Sequence, residues 1–115
     1  MSIILYGIKN CDTVKKARCW LETHEIRYTF HDFRADGIDK EMIKDFLKQI
    51  DWQTLLNKRG STWRNLSENQ KNNIDESKPL ELMIEHPTLI KRPILDHDNK
   101  YSVGFSENQY EKIFS

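Results

Sequence analysis

Cys11 follows the apolar run Ile3-Ile4-Leu5-Tyr6-Gly7 and opens an amphipathic segment. A thiol in the first turn of a helix faces unpaired backbone N–H groups and the positive end of the helix dipole. Both favour the thiolate, which is the nucleophilic form. Lys9, Lys15, Lys16 and Arg18 lie close in sequence and act in the same sense, the three lysines most simply as a solvated helix edge. The placement points to a reactive thiol rather than to a small side chain used for packing. A thiolate attacking an oxyanion or a glutathione mixed disulfide gains from nearby cations. Arginine holds carboxylates and tetrahedral anions through planar, two-pronged contacts. Arg92, next to Pro93, and Arg59, beside Gly60, are the candidates; Arg34 and Arg64 read more simply as solvated surface charges.

Thiol chemistry needs a resolving step. Val14 stands three residues after Cys11, so there is no Cys-x-x-Cys pair to close an internal disulfide. Cys19, eight residues on, would lie about 12 Å along a continuous helix and about 80° around it. That exceeds the roughly 7 Å between α-carbons that a disulfide can bridge. An external thiol must therefore resolve Cys11, and glutathione is the abundant choice. Metal chemistry has no support in the pattern: His24, His31, His86 and His97 lie at no ligand spacing, and two cysteines alone cannot hold zinc. No glycine pattern for phosphate or dinucleotide binding occurs.

The elements that must position these residues alternate between strand and helix. Residues 3–7 read as a strand, and Asp12 to about His24 as a helix with Val14, Ala17, Trp20 and Leu21 inward. Residues 27–31 alternate as a second strand, which completes a βαβ unit with parallel pairing. Asp39 caps a helix over 40–50 whose apolar set is Met42, Ile43, Phe46, Leu47 and Ile50. The polar stretch from Asp51 to Ser77 has Trp52, Leu55, Leu56, Trp63 and Leu66 as core anchors, and Ser67-x-x-Gln70 has the form of a capping box. Pro79 suits the first turn of a helix with Leu80, Met83 and Ile84 inward. Residues 93–95 and 101–103 flank a turn at Asp96-His97-Asp98-Asn99-Lys100 as a β-hairpin. Ser106 to Gln109 then caps a closing helix, with Phe105 and Tyr110 at staple spacing. The class is α/β: a thioredoxin-like mixed sheet, βαβ then helix and hairpin, with an inserted helical subdomain.

Bulk properties bound the function. At 115 residues the chain reads as a single domain, 1–115, with a helical insertion at about 37–86. Eighteen Lys and Arg balance eighteen Asp and Glu, so no net field draws nucleic acid or a membrane surface. There is no signal peptide and no apolar stretch near the roughly 20 residues of a membrane span. Two cysteines do not make a disulfide framework, which fits a reducing, cytoplasmic setting. Nothing indicates a large apolar interface, so a monomer is expected.

The opening Tyr6-Gly7-Ile8-Lys9-Asn10-Cys11-Asp12-Thr13-Val14-Lys15-Lys16-Ala17 resembles that of the ArsC family, the glutaredoxin-linked arsenate reductases and their relatives. Its nearest likeness is to the YffB branch. The resemblance continues through Leu55-Leu56-Asn57-Lys58-Arg59-Gly60-Ser61-Thr62-Trp63-Arg64, Ile90-Lys91-Arg92-Pro93-Ile94 and Gly104-Phe105. It implies that Cys11 is the attacking cysteine, Arg92 an oxyanion-binding arginine and Pro93 the proline with a cis peptide bond facing the thiol. It also implies glutathione as co-substrate with no bound cofactor, and glutathione or glutaredoxin as partner. Two arginine positions of the arsenate-reducing enzymes are not matched: Asn57 follows the Leu-Leu pair, with Arg59 two places on, and Gly104 stands at about the third. The expected activity is a glutathione-dependent thiol reductase acting on a small molecule or a disulfide, with arsenate reduction as the narrower alternative. The Spx regulators are similar in fold and act by docking on RNA polymerase. Some carry a Cys-x-x-Cys switch that Val14 removes here.

Overall fold

The computed structural model describes residues 3–66, 71 and 78–115. Its backbone divides into two compact units: Met1–Asp36 with Arg92–Ser115, and Gly37–Lys91. The Ser67-x-x-Gln70 box lies outside the described residues.

The first unit is built on β1 (Ile3–Gly7), α1 (Asp12–Thr23), β2 (Thr29–Asp32), β3 (Ile94–His97), β4 (Lys100–Val103) and α6 (Glu107–Ile113). The sheet order is β2-β1-β3-β4. β1 runs parallel to β2 and antiparallel to β3, and β3 pairs antiparallel with β4. Leu5 sits opposite both Phe30 and Leu95, so its side of the sheet is apolar across three strands. The helical repeat of α1 turns Ala17, Trp20 and Leu21 onto that face, where they form one core with Leu5, Leu95 and Tyr110. Burying side chains of this size contributes about 1.5–3 kcal/mol each before entropy is counted. Tyr110 meets Phe105 edge-on, with ring centroids 4.7 Å apart, in the staple that the spacing implies. Ser106 caps α6 by accepting from the Gln109 N–H at 3.1 Å. The Gln109 side chain donates to the Val103 carbonyl at 3.2 Å rather than back to the cap, and so fastens α6 to β4.

Two boundaries differ from the sequence reading. Strand β2 begins at Thr29, not Arg27, because the chain first closes α1: Glu25 is left-handed (φ 58°) and the Ile26 N–H donates to the Leu21 carbonyl at 2.9 Å. The hairpin turn is two residues, Asp98 and Asn99, rather than five. Both have positive φ (52° and 70°), the pattern of a tight hairpin turn that Asp and Asn tolerate best after glycine. Asp96 and His97 thus belong to β3 and Lys100 to β4, while the Asp96 carboxylate accepts from the Asn99 N–H at 2.8 Å.

The second unit holds α2 (Lys40–Gln49), α3 (Trp52–Leu55), α4 (Ser61–Arg64), α5 (Lys78–Glu85) and a 3-10 turn at Pro87–Leu89. Asp39 caps α2, accepting from the Met42 N–H at 2.9 Å. Ile43 and Phe46 are fully buried, with Leu55, Met83, Leu89 and Ile90. The buried face of α5 is centred on Leu82 and Met83, and Leu80 and Ile84 are only half-buried. Trp52 and Trp63 are half-buried rather than core anchors, with the Lys58 ammonium 5.8 and 5.5 Å from their ring centres. The unit extends to Lys91 rather than ending near residue 86. The 3-10 turn docks on the end of α3: Asn57 N–H donates to the Leu89 carbonyl at 2.6 Å, and Lys91 N–H to the Leu55 carbonyl at 2.8 Å.

Candidate active site

The turn between β1 and α1 presents Cys11. Cys11 N–H donates to the Ile8 carbonyl at 3.1 Å, which folds Ile8–Cys11 back on itself, and the Cys11 carbonyl accepts from Lys15 N–H at 2.9 Å as the first bond of the helix. Cys11 is therefore the N-cap residue of α1, with extended backbone angles. Gly7 allows this turn to sit close. A β-carbon there would stand 2.7 Å from Val14 Cγ2, so a larger residue would force the Val14 side chain or the backbone beside it to shift.

The half-buried Cys11 thiol does not make the short side-chain bond by which an oxygen caps a helix. Its acidity is nevertheless raised. Burial alone would push its pKa up, but the N–H groups of Val14 and Thr13 and the Arg92 guanidinium together bring it below the ordinary thiol value of 9.0. Arg92 acts through both a hydrogen bond and its charge. The physical cause is the one expected of a helix N-terminus beside a cation.

Arg92 is half-buried, the peptide bond from Arg92 to the buried Pro93 is cis, and the Pro93 carbonyl accepts from Gly104 N–H at 2.8 Å. The fold thus brings Cys11 and Arg92 together and anchors Pro93 against the end of β4. Gly104 has φ 82°, a conformation an arginine would adopt only under strain. Arg59 belongs to the other unit, where its side chain is exposed and its N–H donates to the Asn57 side chain at 3.1 Å. Arg34 and Arg64 are exposed. Arg18 is engaged elsewhere: its Nε donates to the Tyr28 hydroxyl at 3.1 Å and its guanidinium covers Phe30 at 4.4 Å. Among the described residues no group of His, Cys, Asp or Glu could hold a metal, and no helix is long and apolar enough to cross a membrane.

The sequence reading passed over Asp32. It is buried at the end of β2, directly opposite Gly7, and its carboxylate accepts from Arg34 N–H at 2.8 Å and Ala35 N–H at 3.4 Å. An Asp at a strand end followed by a turn is the pattern of a side-chain-closed turn, and that was the available signal.

Comparison with known proteins identifies the family and the fold. The ArsC family model matches residues 6–113. An uncharacterized protein of Haemophilus influenzae is 49% identical over 98% of this chain and 99% of its own length. The global transcriptional regulator Spx 2 of Bacillus cereus is 30% identical over 96% of this chain and 86% of its own. The solved structure of a YFFB protein superposes with a TM-score of 0.94 at 46% identity, over 99% of this chain and all of that one. An arsenate reductase-related protein from Brucella melitensis gives 0.81 at 50% identity, covering 100% of this chain and 96% of its own. A glutaredoxin from Archaeoglobus fulgidus shares the fold alone, with a TM-score of 0.51 at 12% identity over 98% of this chain and 85% of its own. The α/β, thioredoxin-like architecture is thus common to all these structures, and the chain belongs to the ArsC family.

Proposed function

We propose that this protein is a cytoplasmic, glutathione-dependent thiol reductase with Cys11 as its nucleophile. The observation that carries this reading is the pairing of the Cys11 thiol with Arg92 at the N-terminus of α1, which favours thiolate. The Cys11 thiolate attacks the glutathione sulfur of a mixed disulfide, forming the Cys11–glutathione bond and releasing the substrate thiolate, which takes a proton from water. A second glutathione thiolate then attacks the glutathione sulfur of that adduct, releasing oxidised glutathione and restoring Cys11. The net change exchanges one disulfide for another: the substrate leaves as a reduced thiol, and the incoming glutathione is oxidised as it joins the glutathione that the substrate carried. Arg92 is suited to hold a glutathione carboxylate or a substrate oxyanion while this occurs. Pro93 is the wall opposite the thiol within the same proposal. Arsenate reduction is the narrower form and draws on the arsenate reductase-related structures.

The test is turnover of a small glutathione mixed disulfide with reduced glutathione, followed by mass analysis of the resting protein after oxidised glutathione. Turnover with one glutathione on Cys11 supports the reading; no turnover and no adduct overturns it. The 30% identity to Spx regulators favours one second reading, a regulator that docks on RNA polymerase without turnover. Copurification with RNA polymerase subunits by a Cys11→Ser variant would support that reading.

A further inference from the structure

At the end of α1 remote from Cys11, the first unit leaves a cavity of about 550 Å³. Trp20, nine residues after the thiol and so about 14 Å along the helix, forms part of its wall. The chain builds the cavity by turning back after α1. Glu25 is left-handed (φ 58°) and the Ile26 N–H donates to the Leu21 carbonyl at 2.9 Å, which brings Ile26 and Arg27 to the cavity. The His24 ring donates through Nδ1 to the Trp20 carbonyl at 2.8 Å and stacks on the Trp20 ring, with centroids 3.9 Å apart. Phe114, the C-cap residue of α6, adds a third ring, centred 5.7 Å from that of Trp20, and Ile3 completes the apolar lining.

A cavity of this size, walled by rings and aliphatic side chains with a few polar groups, has the dimensions of a small-molecule site. Its charged groups are of opposite sign. Arg27 and Glu111 both line it and both are exposed. Among the described residues neither has an ion-pair or hydrogen-bond partner, and they do not pair with each other. The carbonyl end of α1, capped by His24, adds partial negative charge at the same cavity. A ligand with one charge would meet one attractive and one repulsive group, whereas a ligand with both charges can satisfy each. We propose that this cavity binds a zwitterion on an aromatic body, the class of the free aromatic amino acids: the carboxylate on Arg27, the ammonium on Glu111 and the ring against Trp20 and Phe114. The arginine fork suits a carboxylate, and aromatic pairs in offset or edge-on contact add attraction beyond the area they bury. The site is separate from the Cys11 chemistry and needs none of it.

The experiment titrates the full chain carrying Trp52→Phe and Trp63→Phe, in which Trp20 gives the one indole N–H signal in a proton–nitrogen correlation spectrum. The probes are L-phenylalanine, phenylethylamine, which lacks the carboxylate, and phenylpropionate, which lacks the ammonium. L-Phenylalanine should move the Trp20 signal with a Kd of about 1 mM, the range for a ligand of this size. The two single-charge probes should bind about three- to tenfold more weakly. Arg27→Ala should weaken L-phenylalanine by about that factor without weakening phenylethylamine, and Glu111→Ala should do so without weakening phenylpropionate. Both side chains are exposed, so these variants keep the fold. A Trp20 signal unmoved at about 10 mM L-phenylalanine would overturn the proposal. Equal binding of the three probes would overturn it too, because the cavity would then select for apolar mass alone. L-Phenylalanine affinity unchanged in both Arg27→Ala and Glu111→Ala would have the same consequence.

Discussion

The two cysteines of α1 occupy one helix and have different surroundings. Cys11 is half-buried at the N-cap, where two backbone amides and Arg92 favour its charge. Cys19, in the third turn, is exposed, and its sulfur has the Thr23 hydroxyl at 4.0 Å. Helix position, more than residue type, separates them: the amides of the first turn are unpaired, while those around Cys19 are spent within the helix. The lysines that flank Cys11 in sequence are exposed, and the cation that reaches its sulfur comes from Arg92, 81 positions away along the chain.

The largest effect that would sharpen this contrast is the loss of one thiol against the other. Cys11→Ser should abolish mixed-disulfide turnover and the glutathione adduct, whereas Cys19→Ser should leave both unchanged. Steady-state assay and intact mass would check this, and persistence of the adduct in Cys11→Ser would break the distinction. Next is Arg92→Ala, expected to slow the reaction about 10- to 100-fold, the worth of a hydrogen bond to a charged group. Arg92→Lys should recover part of that rate by keeping the charge without the fork. Gly7→Ala should cost about 1–3 kcal/mol in a denaturant titration, because its methyl enters Val14. Ser106→Ala, at the cap of α6 and away from the thiol, should cost about 1 kcal/mol with no change in alkylation rate.

The pH dependence of stability gives the smallest signal. The folded Cys11 thiol is more acidic than the unfolded one, so its contribution is full above the ordinary thiol range and is lost as pH falls through the folded value. The gap in melting temperature between wild type and Cys11→Ser should therefore be wider at alkaline pH than at pH 6. An equal gap at both would mean that ionised Cys11 adds nothing to the fold.

Local signals were the legible ones. Capping residues Asp39 and Ser106, the α1 stripe and the Phe105–Tyr110 staple all act within a few residues, and each is found as the pattern implies. The apolar alternation of β1 and the spacing that follows it sufficed for the βαβ start. What the sequence concealed was tertiary. The turn at Asp98-Asn99 depends on two left-handed residues whose neighbours are equally polar, so polarity spread the expected loop over five positions. Trp52 and Trp63 carry apolar mass, yet half-buried rings under lysine are as stable an outcome as core burial. At the site, Cys11 is recognisable from its local context and Arg92 from the family resemblance. The burial of Asp32 opposite Gly7 was not legible, because it depends on β2 pairing beside β1, and the pairing register is invisible along the chain.

The most direct test of the account is the pH dependence of alkylation in the Cys19→Ser variant, where Cys11 is the one remaining thiol. The account predicts a single titration with its midpoint clearly below the ordinary thiol value of 9.0, moving upward in Arg92→Ala. A midpoint at or above that value, unmoved by Arg92→Ala, would contradict it.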